Sequence, residues 1–323
     1  MQTTAENVIV RKLPGRLIEL EDGSFFPLTQ PLVRRSSGQY TRQRRLAVLN
    51  RWIRKGILQV IGSPWLPGFW TLSLEQADRT LVAIKKMHLP VKLLLSVTSA
   101  PMDGNKNWFS FKADPMMSVE LRWNSFESYT LQLKKKYRAR LKKVMKLNMA
   151  LEERILIPDE DDLSTASQLL TKTLTDKVVA MPDNLKWLLE LYQAGFGSSF
   201  KIHGFFLEDR LVGFISTVED GPLLRAMHFG ASDNVPNQFY SYTMFYAIRL
   251  GIEGGYQKVS LGRTATEIKS TYGAEPEENY FSFYSENWFF RGLLKLAQKR
   301  YRPKPYIIRR PFNKNVLVVQ HIS

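Results

Sequence analysis

Apolar positions along the 323-residue chain alternate in short runs or recur at helical spacing, a mixture that predicts an α/β protein. Leu17 to Leu20 and Ser24 to Leu28 flank Asp22-Gly23, a favoured two-residue turn pair, and predict a hairpin. Leu46, Leu49, Trp52 and Ile53 then fall at helical spacing between Thr41 and Lys55. A strand at Ile57 to Ile61, a Pro/Gly-rich loop from Gly62 to Gly68, a helix over Leu74 to Met87 and a strand at Val91 to Val97 complete a parallel strand, helix, strand unit.

The same order returns downstream without residue identity between the halves: a strand at Leu223 to Phe229, a helix at Gln238 to Ile252 and a strand at Lys258 to Leu261. Ahead of it, helices near Leu163 to Leu174 and Asp183 to Gln193 lead into strands at Lys201 to Leu207 and Leu211 to Val218. With Leu223 to Phe229 these make an antiparallel meander turned by Glu208-Asp209-Arg210 and Glu219-Asp220-Gly221. Met116 to Arg122 is a strand near the expected boundary at residue 120.

One long amphipathic helix is predicted over Ser125 to Leu147, capped by Asn124 with Glu127 at the third position. Phe126, Tyr129, Leu133, Tyr137, Leu141 and Val144 form its apolar stripe. Lys134, Lys135, Lys136, Arg138, Arg140, Lys142, Lys143 and Lys146 put eight cations within 13 residues and no acid among them. A surface helix normally mixes signs for i,i+4 support, so the bias points to an anionic partner.

Residues 260 to 276, SLGRTATEIKSTYGAEP, carry the densest local signal. An apolar run ends at Leu261, Gly262 breaks it, and Thr264 with Glu267 predicts a capping box opening a helix that Gly273 closes. Arg263 then stands just before a helix N-terminus, where unpaired N–H groups favour anions, and Lys269 shares a face with Tyr272. An Arg263–Glu267 pair at i,i+4 is the plainer reading of the same spacing.

Charge and composition narrow the partners. The balance of 46 Lys+Arg against 30 Asp+Glu, a net +16, implies polyanionic company: nucleic acid, anionic lipid, an acidic carrier protein or a phosphorylated cofactor. Zero cysteines exclude disulfides, thiolate metal sites and a cysteinyl acyl-enzyme. The four histidines lack metal-ligand spacing, so no metal is expected. No long apolar run and no signal-peptide core occur, which predicts a cytoplasmic protein, either free or at the inner face of the membrane.

The strand, Gly262-Arg263, short Lys269-bearing helix and Gly273-Ala274 resemble the C-terminal signature of GNAT-like acyltransferases of the superfamily that includes Fem-type peptidoglycan aminoacyl transferases, in its acetyltransferase-like branch. Trp123-Asn124-Ser125-Phe126-Glu127-Ser128-Tyr129, running into the basic stretch through Lys143, resembles the helix opening that family's transferase half. The resemblance implies a mixed, mostly antiparallel sheet flanked by helices, in two GNAT-like units with a degenerate first copy. It divides the chain into a degenerate domain at 1–120, a transferase domain at 121–290 and a basic extension at 291–323.

The implied activity moves an acyl or aminoacyl group onto an amine or hydroxyl of a lipid, sugar or cell-envelope precursor. The donor is acyl-coenzyme A or an acyl carrier protein thioester, with aminoacyl-tRNA as the alternative. Gly230 to Ser241 lacks the Arg/Gln-x-x-Gly-x-Gly/Ala pyrophosphate pattern of classic acetyltransferases, a departure shared with Fem-type relatives, which take aminoacyl-tRNA. Lys269 matches the lysine that the resemblance assigns to the reacting carbonyl, and Tyr272 matches a general acid. Arg263 and the Thr264 helix start would bind anions, as would Lys136, Arg138 and Arg140. His228, on a strand approaching the cleft, is a candidate base near neutral pH, and Asp233 a carboxylate at the cleft edge. Beyond these, Trp288 to Lys304 predicts an aromatic, basic helix of a kind that lies on anionic bilayers or packs as an ordinary terminal helix. Residues 301 to 314 read as an extended basic tail. Two nonenzymatic readings compete: an RNA-binding protein or a peripheral membrane protein reusing the fold.

Overall fold

The computed structural model describes residues 16–19, 25–29, 51, 55, 57–62, 71–86, 92–102, 106–156, 160–174, 185–303 and 305–313. The Asp22-Gly23 turn, most of the expected Thr41 to Lys55 helix and the loop after Gly62 lie outside them. The chain divides into two compact units, residues 1–114, 174–197 and 278–304 in one, and 115–173, 198–277 and 305–323 in the other. The chain returns to the first unit at Leu174 and again at Glu278, so neither unit is one continuous block.

The first unit is built on a sheet of order β1 (Arg16–Glu19), β2 (Phe25–Thr29), β3 (Leu58–Ile61), β5 (Leu93–Thr98), β14 (Tyr280–Tyr284), β6 (Trp108–Lys112), with β4 (Thr71–Leu72) also on β5. The hairpin and the parallel β3/β5 pair appear where the pattern predicts them, joined through α1 (Leu74–Lys86). Ala77, Thr80, Leu81 and Ile84 recur at helical spacing and form α1's buried face. Helix α5 (Leu185–Phe196) also belongs to this unit, as does α8 (Trp288–Arg300).

The second unit's sheet runs β13 (Glu275–Glu277), β7 (Met116–Glu120), β12 (Lys258–Arg263), β11 (Leu223–Ala231), β10 (Arg210–Asp220), β9 (Phe200–Leu207), β8 (Glu152–Ile155). The predicted meander is β9, β10 and β11, paired antiparallel throughout. Its core gathers Met117, Val119, Phe205, Ile215, Val259 and Leu261 from strands against Phe245, Ala247 and Ile248 of α6 (Phe239–Glu253). Gly251 lies where α6 crosses β12: a Cβ there would meet Val259 Cγ2 at 2.2 Å. Helix α4 (Glu160–Leu174) begins three residues earlier than its apolar period, within the acidic stretch.

The single helix expected over Ser125 to Leu147 is two, α2 (Phe126–Gln132) and α3 (Lys135–Leu147). Leu133 and Lys134 between them are extended, and the Lys134 N–H donates to Pro311 O at 2.8 Å. The break therefore accommodates a docked C-terminal segment, with Leu133 bridged to Phe312. The cap also differs: Ser125 accepts from the Ser128 N–H and Ser128 reciprocates, leaving Asn124 and Glu127 out of the box.

Candidate active site

Strands β11 and β12 pair in parallel at only three positions, Leu223 with Lys258, Leu224 with Val259 and Arg225 with Ser260. Past these, β11 runs on to Ala231 and β12 to Arg263, and among the described residues no pairing joins them. Both strands bulge at the parting. Ile215 pairs with Phe229 but Thr217 with Ala226, so Met227 and His228 together face Ser216. Likewise Ser260 pairs with Ser118 but Arg263 with Met116, so Leu261 and Gly262 face Met117. An extra residue bends its strand and increases local twist. Two such bends leave a wedge whose separated backbone groups must find partners other than each other.

Lys269 stands at this wedge. Gly262 has φ +79°, and Thr264 and Ala265 follow at φ 66° and 48° before α7 (Thr266–Ser270). Two successive non-glycine residues in the left-handed region are costly and concentrate at functional sites. The turn points Lys269 back along the chain, where Nζ donates to Gly262 O at 3.1 Å and to Arg263 O at 2.6 Å. The residue is 3% exposed, so this cation is held largely out of water by carbonyls at the end of β12.

The capping box expected here is absent. Ala265 is the N-cap with no side-chain bond, Thr264 is exposed, and the Glu267 carboxylate is taken by Arg309, whose Nε donates at 3.0 Å. Left-handed Thr264 and Ala265 carry the chain around the corner that the box would otherwise have turned. A single turn of five residues also has too little macrodipole to serve as the predicted anion site. Arg263 is half-buried on β12 opposite Met116.

Tyr272 lies in the core rather than on a cleft wall. It is 0% exposed, its hydroxyl donates to Ser241 Oγ at 2.8 Å, and its carbonyl accepts from the buried Tyr129 hydroxyl at 2.9 Å. Burial raises its pKa against the lowering effects of Ser241 and the Arg140 charge. This bonding ties α2, α6 and the α7 turn together instead of presenting a proton. His228 is also buried, and loss of hydration pulls its pKa down to about 4, making it neutral and a poor base near pH 7. Its backbone N–H donates to Ser216 Oγ at 3.1 Å, satisfying a group that the bulge takes out of the ladder.

Asp233 is a surface residue paired with Lys172, its side chain 85% exposed. Lys136 and Arg140 are exposed on α3, with Lys136 over the Tyr137 ring; Arg138 is half-buried and donates to Leu131 O at 3.1 Å. Sequence patterning placed Tyr129 only on an apolar stripe and did not single out Ser241, Arg309 or Phe312. Only Phe312 leaves a trace, through its partner: Gly273, at φ +92°, sits where a Cβ would lie 2.4 Å from the Phe312 ring. Residues 305 to 313 of the expected extended basic tail are built into the second unit, where the Arg309 N–H donates to Ser270 Oγ and Lys134 Nζ to Arg310 O, each at 2.9 Å.

The overall fold has solved counterparts at low identity. The C-terminal domain of a putative lysylphosphatidylglycerol synthetase from Agrobacterium fabrum aligns at TM-score 0.58 with 10% identity, covering 92% of each chain. The L-PGS of Bacillus licheniformis aligns at 0.52 with 12% identity over 88% of each chain. FemX aligns at 0.50 with 10% identity, covering 92% of this chain and 99% of its own. The chain has a GNAT-like fold of the kind that includes Fem-type members. No family model matches the sequence, and no curated protein matches it. Within this GNAT-like frame, two mostly antiparallel sheets are each flanked by helices, and the wedge lies in the second. Among the described residues no cluster of His, Cys, Asp or Glu could hold a metal, and no helix is long and apolar enough to cross a membrane.

Proposed function

We propose that this protein is an acyltransferase that moves an aminoacyl group from aminoacyl-tRNA to an amine or hydroxyl of an envelope lipid or precursor. The observation carrying this reading is the buried Lys269 ammonium, bonded to the carbonyls that end β12 where β11 and β12 part. In the transfer, the acceptor nitrogen or oxygen attacks the ester carbonyl carbon. A C–N or C–O bond forms, the ester C–O bond breaks, and the ribose oxygen keeps the electron pair and takes the proton released by the nucleophile. Negative charge develops on the carbonyl oxygen between these events. A preorganised cation in a site removed from water stabilises that charge more than one in bulk solvent.

The likeness to two lysylphosphatidylglycerol synthetase structures and to FemX supports this class over a simple acetyltransferase. The outward cations of α3, a helix without a carboxylate, support a polyanionic donor. Acyl-coenzyme A and acyl carrier protein thioesters are the competing donors. Assaying both donor classes with wild type and Lys269→Ala tests the proposal. Turnover from aminoacyl-tRNA by wild type and its loss in the variant is expected; equal turnover removes Lys269 from the mechanism. Salt-sensitive RNA retention without any turnover would favour the nonenzymatic RNA-binding reading.

A further inference from the structure

Helix α8 (Trp288–Arg300) is attached to the first unit along one face. Phe290 is buried and packs with Leu294 against Leu58, Leu93 and Phe283, while Gln298 Nε2 donates to Ser110 O at 3.2 Å. Asn287 caps it, accepting from the Phe289 and Phe290 N–H groups. Its outward side is not the polar face that a surface helix usually turns to water. Trp288 is 81% exposed, Phe289 50%, Leu293 41% and Leu296 47%. Phe289, Leu293 and Leu296, at i, i+4 and i+7, form one ridge along the helix.

Beside that ridge, Arg291, Lys295 and Lys299 make a parallel cationic row, and Arg300 ends the helix. The helix contains no carboxylate, and Glu286 just before it is already paired with Lys85 at 2.5 Å. An open cleft of about 540 Å³ follows the cationic row, lined by Lys106, Trp288, Arg291 and Lys295 among others. Within it, Arg291 Nε is shielded from solvent and has no hydrogen-bond acceptor among the described residues.

A nucleic acid would neutralise the row but leave the ridge in water. An apolar protein groove would cover the ridge and strand the cations. A bilayer with anionic headgroups accommodates both, because its apolar interior lies beside a negatively charged surface, and tryptophan prefers that boundary.

We propose that α8 is an interfacial anchor, with Trp288, Phe289, Leu293 and Leu296 seated at the acyl–headgroup boundary and Arg291, Lys295 and Lys106 against lipid phosphates. This does not rest on the acyl-transfer reading, since every residue named belongs to the first unit. The full chain is tested by cosedimentation with phosphatidylcholine vesicles, with and without phosphatidylglycerol. Two double variants, F289S/L296S and K295E/K299E, accompany it; all four positions are exposed, and circular dichroism verifies folding. Wild type is expected to bind only the anionic vesicles, and each double variant to bind at least about tenfold more weakly. Failure of wild type to bind anionic vesicles, or binding unchanged by F289S/L296S, overturns the anchor. So does retention on tRNA, in the absence of vesicles, that both double variants abolish.

Discussion

Each unit of this protein contains a parallel strand pair joined through a helix, and the two pairs end differently. In the first unit β3 and β5 pair over Leu58 with Leu93 through Val60 with Leu95, and β4 then takes over on the same strand, Thr71 with Val97 and Leu72 with Thr98. The place where strands would part is filled. Behind it the hydroxyls of buried Thr98 and Ser282 and half-buried Ser110 bond one another at 2.8 and 2.9 Å, so these three groups satisfy each other. In the second unit β11 and β12 also pair over three residues, but two bulges follow instead of a third strand, and a lysine closes the end. The same topology gives a plugged sheet in one place and an open wedge in the other. Insertion of a two-residue strand or of two bulges decides which.

The largest effect is expected where the two sites differ most in charge. Replacing Lys269 with Met keeps much of the side chain's length and removes the cation, and turnover should fall by about 10²- to 10³-fold. The matching change in the plugged sheet, Thr98→Val, should leave turnover per folded molecule unaltered, although it breaks the hydroxyl chain. Single-turnover rates normalised to folded protein measure both. A Thr98→Val variant as inactive as Lys269→Met would break the contrast.

Acid should separate the units next. His203 and His228 both lie in the second unit, and burial foremost holds each at a pKa of about 4. His203 is held by Thr217 on Nε2 at 2.9 Å and by Tyr246 on Nδ1 at 3.1 Å. Because these folded-state values lie below the ordinary histidine value, the unfolded chain binds protons first as pH falls. Stability is therefore complete above about pH 6.5 and declines toward pH 4, by about 3 kcal/mol for each histidine. Hydrogen exchange should report protection lost in β9 to β11 before it is lost in β5 and β14. The reverse order would contradict it.

Much of this contrast was legible in the sequence, and the missing part has a physical reason. Strand and helix positions follow from hydrophobic period, so the meander, α6 and both parallel pairs fall where patterning puts them. The bulges at Met227 and Gly262 are changes of register by one residue and leave no mark on composition. The α2–α3 break is set by Pro311, Phe312 and neighbouring residues far along the chain, which local periodicity cannot register. Thr264 misled for the opposite reason. Its spacing to Glu267 fits a capping box, yet Arg309 and the left-handed turn at Thr264 and Ala265 override that local preference.

Gly262 offers a finer cut at the wedge. A Cβ there has room, its nearest flanking atom being Lys269 Nζ at 3.9 Å, so the cost of Gly262→Ala comes from φ +79° alone. About 1 kcal/mol of stability should be lost. The strain also bears on the carbonyl that accepts from Lys269, so turnover should fall more than stability accounts for. Denaturant midpoints and turnover measured on one preparation separate the two. A purely proportional loss would mean that the turn positions the chain but not the lysine.

The smallest effect is expected at Asp233, where the loop after β11 meets α4. Its carboxylate is mostly in water and its partner Lys172 is half exposed, so solvent screens the pair and side-chain entropy offsets most of the attraction. Asp233→Asn should keep the thermal midpoint within about 2 °C and turnover within about twofold. That near-silence would set the boundary of the site, because Ala231, two residues earlier, still pairs with Gly213 and donates its N–H to Thr173 Oγ1. If Asp233→Asn instead reduced turnover as Lys269→Met is expected to, the working cleft would extend beyond the wedge into the loop before α6, and the plugged and open sheets would differ by a loop as well as by their bulges.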